Sequence, residues 1–209
     1  MRILIADDHA VVRQGLKQIL AADFKHAVFG EAENGQQALD LAWKESWDVL
    51  VLDITMPGQS GLDVLKAIKK NRPKLPVLML SMHPEDQFAV RMLKIGAAGY
   101  MTKESAPAEL VGAVKKVVSG GRYISPALAE KMAAFLAIDV QTAPHERLSD
   151  REFLVLRLIA SGKTVSAIAV ELSLSVKTIS TYRTRILEKT GMKNSAELTH
   201  YALQNHLVD

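Results

Sequence analysis

The chain has no cysteine among its 209 residues. Disulfides and thiolate metal sites are thereby excluded, which fits a reducing compartment. Long apolar runs are missing too: none approaches the roughly 20 residues that span a bilayer. The opening MRILIADDHA has an apolar stretch too short for the core of a signal peptide. Nor is there an internal repeat, a low-complexity tract or a strong charge imbalance. The net charge of +3 and pI ≈ 9.0 are compatible with nucleic acid but do not argue for it alone. A cytoplasmic protein that does not enter the membrane is expected. What is present is ordinary globular composition, 48% hydrophobic and 23% charged, long enough for one large domain or two modest ones.

Up to about residue 120, short apolar runs alternate with helical patterns. Residues 2–6, 27–32, 48–52, 76–80 and 99–102 read as strands. Between them, Val11, Val12, Leu16, Ile19 and Leu20 form one helical stripe. Ala38, Leu39, Leu41 and Ala42 form a second, and Leu62, Leu65 and Ile68 a third; apolar recurrence at three to four positions is the helical signal. Such alternation predicts an α/β, doubly wound, five-stranded parallel sheet, in which strands one and three are neighbours and sites lie beyond the carboxyl ends of the strands. This domain is expected over residues 1–122. Residues 123–146 read as a linker carrying a helix at 127–137. From 147 to 209 only helical patterns appear, broken at Gly162, near Ser173 and at Gly191, with Ser149, Ser175 and Asn194 as caps.

The stretch VLVLDITMPG (49–58) carries an acid, Asp53, at the mouth of a hydrophobic strand. A buried charge is costly unless paired or metal-bound. Strand one runs into Asp7 and Asp8 in the same way, and strands one and three are neighbours in such a sheet. Three adjacent carboxylates repel one another unless a hard cation such as Mg²⁺ accepts their oxygens. Strand four ends at Ser81 and strand five at Thr102-Lys103. Singly, each residue has a duller reading: helix cap, loop cap, solvated lysine. Together they supply what phosphoryl transfer to a carboxylate needs, a nucleophile, a metal and an ammonium.

Asp7-Asp8, Asp53-Ile54-Thr55-Met56-Pro57 with Gly61, Ser81 and Lys103 resemble the receiver domain of two-component response regulators, which implies a flavodoxin-like fold of sheet order 2-1-3-4-5. The resemblance implies that Asp53 accepts a phosphoryl group from a sensor histidine kinase. It implies that Asp8, Asp53 and the backbone carbonyl of Thr55 hold Mg²⁺, with Asp7 acting through water. Lys103 would pair with the phosphoryl oxygens, and Ser81 would swing toward them as Tyr100 turns. No enzyme acting on other substrates is expected, only self-phosphotransfer and slow dephosphorylation. Met82 stands where a small residue is usual and is expected to crowd and shield the site. Glu104 replaces the usual proline, so no cis bond is expected there. His9 and His83 read as solvated neighbours, and Trp43 and Trp47 as packing residues.

In the C-terminal part, Ser149 and Glu152 form a capping box. Two short helices, at about 165–172 and 176–189, are separated by Ser173-Leu174-Ser175, a helix-turn-helix spacing. Ile168, Leu172, Leu174, Ile179 and Ile186 are expected inside; Lys177, Ser180, Thr181 and Thr184 outside. Lys177, Arg183, Arg185, Lys189 and Lys193 face one acid, Glu188, which by charge alone also suits a solvated face. LSDREFLVLRLIASGKTVSAIA and SVKTISTYRTRILEK resemble the LuxR-type DNA-binding domain. The whole chain then resembles the NarL/FixJ class of response regulators. This implies promoter duplex as partner and a homodimer on phosphorylation. Ser180, Thr181 and Thr184 would face bases; Lys177, Arg183 and Lys189 would meet phosphates. Two other readings compete. Haloacid-dehalogenase-like phosphatases need a second acid where Thr55 stands, and the output domain could instead bind protein or RNA.

Overall fold

The computed structural model describes residues 1–82, 87–130, 143–205 and 207–208. The chain divides into two units, Met1–Phe135 and Leu136–Asp209. In the first, strands β1 (Arg2–Ala6), β2 (Val28–Ala32), β3 (Val49–Asp53), β4 (Val77–Ser81) and β5 (Gly99–Thr102) alternate with helices. These are α1 (Ala10–Asp23), α2 (Gly35–Lys44), α3 (Gly61–Asn71), α4 (Gln87–Ile95) and α5 (Ala106–Val118). All neighbouring strands are parallel, as the alternation requires, and their order is 2-1-3-4-5, as the receiver resemblance implies.

Strand residues divide between the two faces by the period of two. Ile3, Ile5, Val49, Val51, Leu78 and Leu80 pack with Leu16 and Leu20 of α1 and Leu110, Ala113, Val114 and Val117 of α5. On the other face α2, α3 and α4 lie side by side, and Leu4, Leu50, Leu52 and Met79 are fully buried. Both faces being covered, β3 and β4 are buried at every residue, which is why they read as unbroken apolar runs. The strands at 28–32, 49–53 and 77–81 begin one residue later than expected. Asp53 and Ser81 are therefore the last residues of their strands.

One helical stripe departs from expectation. Val11 is 86% exposed, whereas Arg13 is buried. Arg13, Leu16 and Leu20 share the inner face of α1, and Val11 lies about 200° round the helix from Arg13. Trp47 packs as expected: a Cβ on Gly30 would lie 2.3 Å from its ring. Trp43 remains 38% exposed beneath the Arg72 guanidinium. No cis peptide bond occurs among the described residues. Residues 126–130 are helical; the rest of the expected linker helix, and His83, lie outside the described residues.

In the second unit a 3-10 turn (Pro144–Arg147) precedes α6 (Asp150–Ala160), α7 (Val165–Glu171), α8 (Val176–Thr190) and α9 (Ser195–Gln204). Ser149 and Glu152 form the expected capping box, and Thr164, Ser175 and Asn194 cap the other three helices. The breaks fall where backbone freedom is needed: Gly162, Ser173 and Gly191 have φ of 81°, 52° and 74°. Phe153, Leu156, Ile168, Leu172, Ile179, Ile186 and Leu198 form the core. Leu174, expected inside, is only half-buried.

Candidate functional site

Backbone pairing continues just beyond the strands and fixes the site. Asp7 N–H donates to Ala32 O at 3.1 Å, Ile54 N–H to Leu80 O at 3.1 Å and Lys103 N–H to Ser81 O at 2.8 Å. The carboxyl ends of β1, β3, β4 and β5 thus present Asp7, Asp53, Ser81 and Lys103 from a rigid edge. Gly61 starts α3 there for a steric reason. A Cβ on it would sit 1.9 Å from the Asp53 carbonyl oxygen, so only glycine permits this approach.

Lys103 joins the acids. Its Nζ lies 2.7 Å from Asp7 Oδ2 and donates to Asp53 Oδ2 at 2.9 Å. Asp7 is fully buried and Asp53 is 2% exposed. The Asp7 Oδ2 contact is an ion pair without hydrogen-bond geometry. Burial raises the Asp53 carboxyl to about 6, opposed by the Lys103 charge and reinforced by that of Asp7. Burial would lower Lys103, but the Asp53 and Asp7 carboxylates outweigh it and raise its pKa. The two shifts have one origin: a single ammonium faces two buried acids and does not fully compensate either.

Asp8 is partly exposed, and His9 Nδ1 lies 2.8 Å from its Oδ1. Donor atoms of Asp7, Asp8, His9 and Asp53 lie within 4.8 Å of one another, a group that could hold a metal ion. Three carboxylates with one ammonium leave excess negative charge at this edge. The donor set is mostly hard oxygen, so these residues fit a hard dication. Thr55 supports Asp53 through its backbone, which hydrogen-bonds the carboxylate and lowers its pKa. Ser81 is 1% exposed, and Tyr100, opposite Met79 in the ladder, is fully buried. Met82 departs from expectation: at 76% exposed its side chain lies in solvent and neither crowds nor shields Asp53.

Arg13 was not legible as a site residue. Its guanidinium donates to the Asp7 carbonyl at 2.8 Å and to Glu33 at 3.0 Å, with Glu31 3.6 Å away. It holds the acid-bearing loop from behind. The available signal was its spacing, three and seven residues before Leu16 and Leu20.

On α8, Lys177, Ser180, Thr181, Thr184 and Arg185 are exposed. The Ser180, Thr181 and Thr184 hydroxyls donate to the carbonyls four residues earlier at 2.9, 3.0 and 3.2 Å, leaving their acceptor lone pairs outward. Arg183 is half-buried, its Nε donating to Ser195 Oγ at 2.8 Å. Lys189 is exposed but has a partner within the unit. It donates to both Glu152 oxygens, at 2.9 and 2.6 Å, because a buried carboxylate in the capping box needs a cation more than the surface does.

An acid–lysine pair at the edge of a 2-1-3-4-5 sheet, followed by a helix-turn-helix unit, defines a signalling protein with a separate output part. The chain matches the response regulator receiver domain over residues 3–115 and the bacterial regulatory proteins of the luxR family over residues 146–202. It belongs to the response regulators of two-component systems that join these parts, the NarL/FixJ class. It is 37% identical over 210 residues to response regulator GacA of Pseudomonas viridiflava, covering 100% of this chain and 98% of that protein. With response regulator UvrY of Escherichia coli (strain K12) it shares 35% identity, covering 100% and 96%. Among solved structures it resembles RcsB from Salmonella enterica serovar Typhimurium, bound to promoter P1flhDC in the presence of the phosphomimetic BeF3-. There the TM-score is 0.66 at 30% identity, over 96% of this chain and 97% of that one. Among the described residues no helix is long and apolar enough to cross a membrane.

Proposed function

We propose that this chain is a DNA-binding transcriptional regulator switched by phosphorylation of Asp53. The observation that carries this reading is the Lys103 ammonium, 2.9 Å from a buried Asp53 carboxylate at an edge that also holds Asp7, Asp8 and Ser81. A sensor histidine kinase supplies the phosphoryl group. The phosphorus–nitrogen bond to the kinase imidazole breaks as an Asp53 oxygen bonds phosphorus, producing an acyl phosphate. Lys103 then neutralises a phosphoryl oxygen, and Asp7 keeps the ammonium aimed. Mg²⁺ would be held by Asp8, Asp53 and the Thr55 carbonyl, with Asp7 through water, and when bound it supplies charge neutralisation for the transferring group. Thr55 offers no general acid where a phosphatase of this chemistry needs one, so the protein turns over no other substrate.

Phosphate adds charge that Ser81 can bind. Its inward movement, with Tyr100 shifting in the space this opens, biases two packings of the β4–β5 edge. Dimerisation follows, because paired half-sites on duplex DNA call for two-fold symmetry. α8 enters the major groove with Lys177, Ser180, Thr181 and Thr184 outward, in the cytoplasm where promoter DNA is accessible. RcsB, at 30% identity, has been solved on promoter DNA, which supports the output reading over protein or RNA recognition. The test is incubation of the full chain with a small phosphodonor and Mg²⁺, followed by intact-mass measurement. One phosphoryl group is expected on the wild type and none on Asp53→Asn. Equal modification of Asp53→Asn would refute the assignment.

A further inference from the structure

His9 occupies the N-cap position of α1, yet its side chain makes no capping hydrogen bond. Serine, threonine, aspartate and asparagine are the residues that stabilise such a position. The imidazole instead turns to the acids: Nδ1 lies 2.8 Å from Asp8 Oδ1 and 3.4 Å from Asp7 Oδ1. Its side chain is 67% exposed, so the acids orient the ring more than packing does. Behind it, Asp7 is fully buried, its Oδ1 accepting from the His9 backbone N–H at 2.9 Å and its Oδ2 ion-paired with Lys103 at 2.7 Å. The result is a mixed nitrogen–oxygen donor set at one corner of the site.

The three carboxylates of this set suit Mg²⁺, but the imidazole does not add to its hold. Mg²⁺ takes oxygen ligands, whereas imidazole suits nickel, copper and zinc, which also bind mixed sites more tightly than lighter dications. Metal–nitrogen and metal–oxygen bonds of about 2.0–2.2 Å hold neighbouring ligands roughly 3 Å apart or a little more. The His9–Asp8 pair has only to open slightly from 2.8 Å, and the exposed ring is free to do so.

Resting on the reading of this edge as a metal-dependent phosphoacceptor site, we propose that His9 is an additional metal donor. It gives the site a second class of occupant, a first-row transition-metal dication that competes with Mg²⁺. A surface ion pair alone would give His9 no effect on metal choice.

The experiment is calorimetric titration of the full chain with Ni²⁺ alone, Mg²⁺ alone, and Ni²⁺ in saturating Mg²⁺. Competition picks out the relevant Ni²⁺ site from any that other histidines form. In the wild type one Ni²⁺ site should be displaced by Mg²⁺. His9→Ala should lower the ratio of Ni²⁺ to Mg²⁺ affinity at that site by at least about tenfold, while Asp8→Asn should weaken both ions. An unchanged ratio in His9→Ala, or Ni²⁺ binding that Mg²⁺ never displaces, overturns the proposal. Failure of the wild type to bind Mg²⁺ would instead overturn the phosphoacceptor-site reading beneath it.

Discussion

Lys189 Nζ sits 2.6 Å from Glu152 Oε2, so the last turn of α8 is pinned to the capping box that opens α6. Glu152 is only 3% exposed. Burial raises its pKa, but the Lys189 and Ser149 hydrogen bonds outweigh burial and hold it below the ordinary carboxylate value. Such a depressed value stabilises the fold above the unfolded carboxylate pKa and ceases to do so as pH falls through the folded one. Lys189→Met should therefore destabilise the output unit by about 1–3 kcal/mol at pH 7, with the gap closing toward pH 3. Urea unfolding of both proteins at the two pH values checks this. A variant of wild-type stability that loses DNA binding would return Lys189 to the DNA-contact role.

Asp53 behaves oppositely. Its folded pKa of about 6 exceeds its ordinary 3.8, so the cost of ionising it is absent at low pH and grows as pH rises through that window. With divalent ions chelated, Asp53→Asn should match the wild type near pH 4 and exceed its stability by about 3 kcal/mol above pH ~6. Denaturant melts across the range would show it. Parallel stability curves would mean that Lys103 fully compensates the carboxylate.

Met82 reaches into solvent, which predicts no protective effect. Met82→Ala should leave the lifetime of the phosphorylated protein within about twofold of wild type, well under the ~1.4 kcal/mol that a tenfold change represents. Loss of phosphate from trapped, donor-free protein is the measurement. A much faster decay would show that the thioether folds over the site after modification.

Ser81 is the switch hydroxyl in this reading. Ser81→Ala should accept phosphate yet show a smaller rise in dimer fraction with a phosphate mimic, measured by light scattering. A dimer response equal to wild type would separate Ser81 from the switch.

For DNA, the structure sharpens two substitutions. Lys177→Ala should weaken operator and random duplex alike and reduce the salt slope by about one unit. Thr181→Ala should cost about 1–3 kcal/mol on the specific site only. Titrations at several salt concentrations distinguish the two. Equal losses on both duplexes for Thr181→Ala would move the reading face elsewhere on α8.

The sheet and the acids were legible in the sequence because fully buried parallel strands are continuous apolar runs, and an acid that ends one stands out. Asp7, Asp53 and Lys103 converge as their strand-end positions implied, and Ser81 ends its strand at the same edge. Arg13, Lys189 and Met82 were not legible, for three different reasons. A buried arginine interrupts the apolar stripe that would betray it. A lysine near a helix end reads as surface charge until the distant Glu152 is found beside it. A side chain just past a strand end has no pattern to say whether it turns in or out.

The crowding of Asp7, Asp8 and Asp53 at an edge with one ammonium has a thermodynamic corollary. A phosphoryl group brings further negative charge to an edge that already has too much, so it and a dication must each favour the other. That coupling is reciprocal. Whatever factor Mg²⁺ contributes to holding a phosphoryl mimic at Asp53, the mimic contributes to holding Mg²⁺. On the proposed reading, the receiver responds to the coincidence of two ligands, each relieving the repulsion among its acids that the other alone leaves.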